Sequence, residues 1–416
     1  MNHVYVHKGV LIDGNGGPPL RDAAVLIEGD RITAAGPAAR VKRPDGPVRE
    51  LDAGGGAILP GLIDAHVHVM FEGLNILRML ATPFSLNFYQ AIPRLRRTLD
   101  AGITSVRDAG GADLGVKHAV EQGLVAGPRM QVSVSVLGTT GGHVDFWMRS
   151  GVDLKLFVPH PGRPDGTCDG VEEVRKKVRE VLRAGAEVIK VRSKGGVGST
   201  TDHPRYTQFT EAELAVMVQE GAYRDGVKVM AHAQGVEGVK NAVRAGIHSI
   251  EHGIYLDDEA IELMLERGTY LVPTLLAPVA VLEDAETHGN VPPWAVDKAR
   301  ETIDAHRDSV AKAHKAGVKI AMGTDAGVMA HGTNLRELGL MCDAGLSPME
   351  ALVATTKTAA ECLGWADQLG TLEPGKLADL IVVQGDPLKN VRALEDPDAI
   401  QLVLQGGQVV KDLRGG

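Results

Sequence analysis

Five times along the chain an amphipathic stretch ends at a glycine, a short apolar run follows, and the run closes on polar residues. The copies read DAGITSVRDAG, RAGAEVIKVRS, RDGVKVMAHAQ, RAGIHSIEHGI and KAGVKIAMGTDAG. Glycine suits a helix C-terminus because the left-handed conformation found there costs it little. The Ile/Val-rich run behind it suits a strand covered on both faces, so each phrase predicts a helix-to-strand unit. Adding GLIDAHVHV before them, and RMQVSVSVLG and RGTYLVPTL among them, brings the candidate strands to eight. Most are separated by helix-length segments, and eight is the strand number of a (β/α)8 barrel.

The two ends have a different texture. Over about the first 60 residues, HVYVHKGVLIDGNGG, DAAVLIEGDRITAAG and VRELDAGGGAIL are short β-rich runs broken by turn residues and read as hairpins. The same texture returns in KLADLIVVQGDPL and IQLVLQGGQVVKD. The expected fold is α/β: a (β/α)8 TIM barrel over 60–368, with a small β-sandwich assembled from 1–59 and 369–416. The longest interruption runs from Gly138 to Gly170, rich in Gly and Pro and without clear periodicity. Loops of this length are functional lids or disordered segments.

Size and composition agree with this layout. A barrel takes roughly 250 residues, and the chain has 416, enough for a second module. Hydrophobic residues are 44% and charged residues 23%, values of a globular chain with a substantial core. The opening MNHVYVHKGVLIDGNGG lacks a basic leader with an apolar core, and no later apolar run approaches about 20 residues. A cytoplasmic protein without a membrane span is expected. The three cysteines, Cys168, Cys342 and Cys362, lack metal-knuckle or dithiol spacing and read as buried thiols. A formal charge of −9 opposes a nucleic-acid partner, which calls for a dense basic patch. A small-molecule substrate fits better.

The chemistry sits where the apolar runs end. His66 and His68 in DAHVHV are two apart, so on a strand both project from one face. Lys190 closes EVIK, His232 closes VKVMAH, His252 closes SIEH and Asp325 closes KIAMGTD. In a barrel the closing ends of all strands meet on one face, where active sites lie. For each residue alone a satisfied core histidine, a capping aspartate or a solvated lysine would serve; their joint placement points to a shared site. Imidazole and carboxylate are ligands for Zn2+ and similar ions. An ammonium beside dications is pushed toward its neutral form, and a neutral amine adds CO2 to become a carbamate, an oxygen donor able to bridge two metals.

At this point the residues resemble the amidohydrolase superfamily over nearly the whole chain. GLIDAHVHV, EVIKVRSKGG, VMAHAQG, HSIEHG and MGTDAG look like its strand 1, 4, 5, 6 and 8 motifs in order, and LGTLEPGKLADLIVVQGDPL like its return to the β-sandwich. The resemblance implies two divalent ions, Zn2+ foremost with Mn2+ or Co2+ as alternatives. His66, His68 and Asp325 would bind one ion and His232 and His252 the other, with carboxylated Lys190 bridging. KVRSKGGVGSTTDHPRYTQFT and the segment from GTDAG to ALVATT look most like the branch of Xaa-Pro dipeptidases, carboxypeptidase-like enzymes and ochratoxin-type amidases. Imidazolonepropionases are similar at greater distance. In that branch His143 of TTGGHVD faces the substrate carboxylate, and Tyr255 of EHGIY contacts the substrate or the oxyanion. A homo-oligomer is also implied. Val144 after His143, and Ala233-Gln234 after His232, depart from the branch and point to a different pocket shape.

The resulting expectation is hydrolysis of an amide in a dipeptide or N-acyl amino acid with a free carboxylate, with Asp325 as general base and acid. The same site would also serve a cyclic amide, carbamate, urea or phosphotriester, and a non-catalytic binding barrel is the alternative of another class. GGVGST at 195–200 lacks the G-K-[ST] ending of a phosphate cradle and reads as a flexible loop over the site. His203 and His331 read as loop histidines. Arg192 either points into the barrel or forms a structural ion pair.

Overall fold

The structure, a computed structural model, describes residues 3–148, 150–154, 158–195, 203, 206–289 and 291–414. Most of the 195–200 loop lies outside them. The N-terminal stretch supplies β1 (His3–Leu11), β2 (Leu20–Glu28), β3 (Arg31–Pro37), β4 (Val48–Asp52) and β5 (Ala57–Pro60). β1, β2 and β3 pair antiparallel, as their turn-broken pattern predicts. VRELDAGGGAIL is not a hairpin: β4 and β5 both run parallel to β1. Gly54 and Gly55, at φ 59° and 80°, take the chain from one to the other, a conformation open to glycine at little cost.

The apolar runs of the middle region become β6 (Leu62–Val67), β7 (Ile103–Asp108), β8 (Arg129–Val132), β9 (Val136–Leu137), β10 (Val188–Arg192), β11 (Lys228–Ala233), β12 (Ser249–His252) and β13 (Tyr270–Val272). They form two parallel sheets, β6-β7-β8 and β13-β12-β11-β10-β9. Every position of β6, β7, β12 and β13 is buried, as expected for strands covered on both faces. The five phrase glycines, Gly102, Gly185, Gly226, Gly246 and Gly317, all have φ between 76° and 98°. Four of them stand at their helix ends in the left-handed conformation the sequence pattern requires, whereas Gly226 closes a turn four residues past a helix that ends at Ala222.

Two of the eight expected strands differ in detail. RMQVSVSVLG is split into β8, which pairs β7, and β9, which pairs β10. Val134 between them has φ 65°, outside the ladder geometry and costly for a β-branched residue. The run KIAMGTD forms no ladder strand. Isolated parallel bridges, Leu271 to Ile320 and Val67 to Ala326, lay it between β13 and β6. Asp64 ties this run to β6: its Oδ1 takes the Thr324 N–H (3.2 Å) and its Oδ2 the Thr324 hydroxyl (2.7 Å). The same N–H also lies 3.3 Å from the His66 carbonyl of β6, so side chain and strand share one backbone donor.

The C-terminal strands β14 (Leu380–Val383), β15 (Ile400–Gln405) and β16 (Gln408–Asp412) complete an eight-stranded sheet of order β16-β15-β14-β5-β1-β2-β3, with β4 on β1. The period of two divides β14 between two cores. Leu380 and Val382 pack with Val6, Val25 and Ile58 of this sheet, while Ile381 and Val383 join the large core around the parallel strands. No helix among the described residues is long and apolar enough to cross a membrane. Cys168 and Cys362 are buried, Cys342 half-buried, and all three are free.

Candidate metal centre

His66 is held by the far side of its ring. Its Nδ1 lies 2.7 Å from Glu251 Oε2, and a carboxylate held ionised can only accept. Burial alone would raise the Glu251 carboxyl, yet the Arg107 guanidinium and His66 hold it down at about 2. Nδ1 therefore carries the His66 proton and Nε2 presents a lone pair. Burial, then the charge of Lys190, lowers the His66 imidazole to about 4, so the ring is neutral. His68 is oriented in the same way: Nδ1 donates to the Gly110 carbonyl at 2.8 Å. His252 Nδ1 shares a 2.6 Å hydrogen bond with the Thr274 hydroxyl. Such outer partners fix ring orientation and basicity at metal centres.

The inner nitrogens then meet Asp325. Its Oδ1 lies 3.2 Å from His68 Nε2 and 3.5 Å from His66 Nε2, and the three residues offer ligand atoms all within 4.8 Å of one another. Electron-pair donors so close need a positive charge between them. One form is a proton shared within the cluster. Burial pushes the Asp325 carboxyl up, but the hydrogen bond with His68 and the surrounding imidazoles outweigh it and hold the group well below its ordinary range. The other form is a cation, and this donor set fits a divalent metal ion.

Lys190 Nζ lies 3.2 Å from His66 Nε2. Burial lowers the ammonium to about 7, with Arg192 and Arg107 reinforcing the shift and Glu251 and Asp325 opposing it. The rings of His232 and His252 are 4.4 Å apart, and His252 is 5.3 Å from His66. Burial, then neighbouring positive charge, holds His232 well below its ordinary range. Its Nε2 is buried without a hydrogen-bond partner among the described residues. A second group of neutral imidazole donors therefore stands beside the first. His252 and Asp325 have φ of 73° and 62°, a conformation that costs a non-glycine residue energy and clusters at functional sites.

All six expected ligands line one cavity of about 150 Å3. His143 lines it too, its ring stacked on His232 at 5.0 Å. Arg192 joins that wall and donates through Nη1 to the His143 carbonyl, so it points inward, the first of its two alternatives. Tyr255 is not among the lining residues; it is half-buried, and its N–H donates to Gln234 O at 2.9 Å. His331 is not a surface loop residue but is buried, with Nε2 3.2 Å from the His68 carbonyl. The sequence pattern did not single out Asp64, Arg107, Glu251 or Thr274, all buried. Asp64 also accepts the His66 N–H (3.0 Å) and the Asn334 side-chain amide (2.8 Å), locking the segments that carry His66 and Asp325 together. Glu251 stands one residue before His252 in SIEH, and a buried carboxylate beside a ligand histidine was the available signal.

A sequence model of the amidohydrolase family matches residues 57–410. Ochratoxinase of Aspergillus niger is 34% identical over 422 residues, covering 98% of this chain and 86% of that protein. A crystal structure of a Xaa-Pro dipeptidase with methionine bound in its active site superposes with a TM-score of 0.88 at 33% identity, over 98% of this chain and 100% of the other. A prolidase complexed with N-methylphosphonate-L-proline gives 0.90 at 36% identity, over 99% and 100%.

Proposed function

Because the chain belongs to the amidohydrolase family, we propose that it is a binuclear metal-dependent hydrolase of amide bonds in dipeptides or N-acyl amino acids that carry a free carboxylate. The observation that carries this reading is the convergence of His66 Nε2, His68 Nε2 and Asp325 Oδ1, with Lys190 Nζ 3.2 Å from His66. His66, His68 and Asp325 would hold one ion and His232 and His252 the other, with a carbamate on Lys190 between them. In this reading the parallel strands close into a (β/α)8 barrel over 60–368, and 1–59 and 369–416 form the β-sandwich.

Two divalent ions, Zn2+ foremost with Mn2+ or Co2+ as alternatives, supply a water of lowered pKa and an electrophile for the carbonyl oxygen. Asp325 accepts the proton of the attacking water. As the water oxygen bonds to the carbonyl carbon and the C–N bond breaks, Asp325 returns that proton to the departing nitrogen. His143 and Arg192 lie on one wall and would orient the substrate carboxylate, whereas Tyr255 stands outside the lining. The relatives support this choice of bond, since one is an ochratoxinase and another a prolidase with a proline phosphonate bound.

A panel of dipeptides and N-acyl amino acids, set against cyclic amides, carbamates, ureas and phosphotriesters, tests the reading. Turnover of the first group with metal-loaded enzyme is expected to exceed the second by at least about tenfold in kcat/KM; a preference for the second group overturns the substrate class. The lysine adds a pH signature. An amine of pKa about 7 becomes neutral as pH rises through 7, and only the neutral amine adds CO2. Activity recovered on metal reconstitution is therefore expected to be lower at pH 6 than at pH 8, and bicarbonate is expected to raise it at the lower pH. Recovery indifferent to both pH and bicarbonate speaks against the carbamate.

A further inference from the structure

The inner cavity has two unlike walls. His143, Arg192 and Gln234, from the neighbourhood of β9, β10 and β11, make one of them polar. The other is built from Leu74, Ile76, Pro278, Val281 and Trp294. Among the described lining residues Asp325 is the sole carboxylate, and the mechanism already uses it. A second, outer cavity of about 670 Å3 adjoins the first. The residues common to both are Phe71, Leu74, Met79 and Val328, so the boundary shared by the two cavities is built from apolar side chains.

Resting on the amidase reading above, we propose that the substrate is an N-acyl amino acid with a long or bulky apolar acyl group, rather than a dipeptide with a free N-terminal ammonium. With the scissile amide at the ligand cluster and the carboxylate on the polar wall, the acyl group runs along the apolar wall and across that boundary. An ammonium on that side would leave water without a counter-charge, which is costly. Three described carboxylates line the outer cavity, Glu72, Glu283 and Asp284, and the first two are held by arginines. Glu72 Oε2 accepts from Arg97 at 2.5 Å and from the His331 N–H at 3.0 Å. Glu283 takes both arms of Arg336, at 2.8 and 2.6 Å. Each buried methylene of the acyl chain, in contrast, favours binding by about fourfold.

Substrates that differ by one group test this directly. N-propionyl and alanyl derivatives of one amino acid, the best C-terminal residue from the panel, differ only by the ammonium. The propionyl compound is expected to be cleaved at least tenfold better in kcat/KM, and decanoyl better than propionyl by at least another tenfold. Leu74→Trp, which adds bulk at the shared boundary, is expected to lower the decanoyl-to-propionyl ratio at least tenfold, whatever it does to the absolute rates. Met79→Trp serves as an independent variant should Leu74→Trp fail to fold. Equal or better cleavage of the alanyl compound, or a chain-length series without slope, overturns this inference and leaves the amidase reading standing. Failure to cleave any amide of the panel overturns the amidase reading itself.

Discussion

Asp325→Asn is expected to lower kcat by about 10^3-fold or more, within the range for loss of a positioned general base. The substitution keeps the shape of the side chain and one carbonyl oxygen toward His66 and His68, which lie 3.5 and 3.2 Å from Oδ1. Asparagine also tolerates a left-handed backbone better than other side chains, so the φ of 62° at this position is preserved. What is lost is the capacity to take and return a proton. Metal content measured beside turnover separates this effect from simple loss of a ligand. Near-normal turnover by a variant that retains its metal would remove Asp325 from the chemistry.

The second large effect is expected at Glu251, which touches neither substrate nor metal. Its Oε1 accepts from Arg107 Nη2 at 3.0 Å and from the Ser249 hydroxyl at 2.6 Å, while Oε2 takes the His66 ring proton. Arg107 is 1% exposed and Glu251 fully buried. Glu251→Gln removes the one ion-pair partner of Arg107 among the described residues. It also sets an amide that both donates and accepts where only acceptance was required. Breaking a buried pair from one side costs about 3–5 kcal/mol, and a donor facing His66 Nδ1 would move the ring proton to Nε2, the nitrogen turned toward Asp325. Loss of thermal stability and weaker metal binding are therefore expected together, measured by thermal unfolding and by metal titration. Replacing Arg107 and Glu251 together by Met is expected to cost less stability than Glu251→Gln alone, because no uncompensated charge remains. A variant with unchanged unfolding temperature and metal stoichiometry would show that this buried pair does not support His66.

The candidate ligands were legible because their rule is local. An apolar run with a polar residue at its closing end needs only the period of a strand, and His66 and His68 need only its alternation. The glycine that precedes each of five runs is equally local, since one backbone conformation demands it, and all five adopt that conformation. VRELDAGGGAIL misled because its glycines mark a turn without revealing whether the next strand returns antiparallel or continues along β1. Val134 gave no signal at all, because a valine in an apolar run reads as strand whatever its φ.

By itself the sequence determined the helix-to-strand rhythm, the positions where polar groups close the strands, and the donor types that collect there. Those properties depend on periodicity and side-chain chemistry, which a chain carries at every position. Tertiary structure alone decided which partners hold the donors: Glu251 and Arg107 on His66, Gly110 on His68, Thr274 on His252, and Asp64 across to Thr324. It also decided the apolar wall and the boundary between the cavities, drawn from segments as distant as Leu74 and Val328. The physical reason is that strand period states which face a side chain takes, whereas contact across strands depends on register and neighbour order, set only when the core closes.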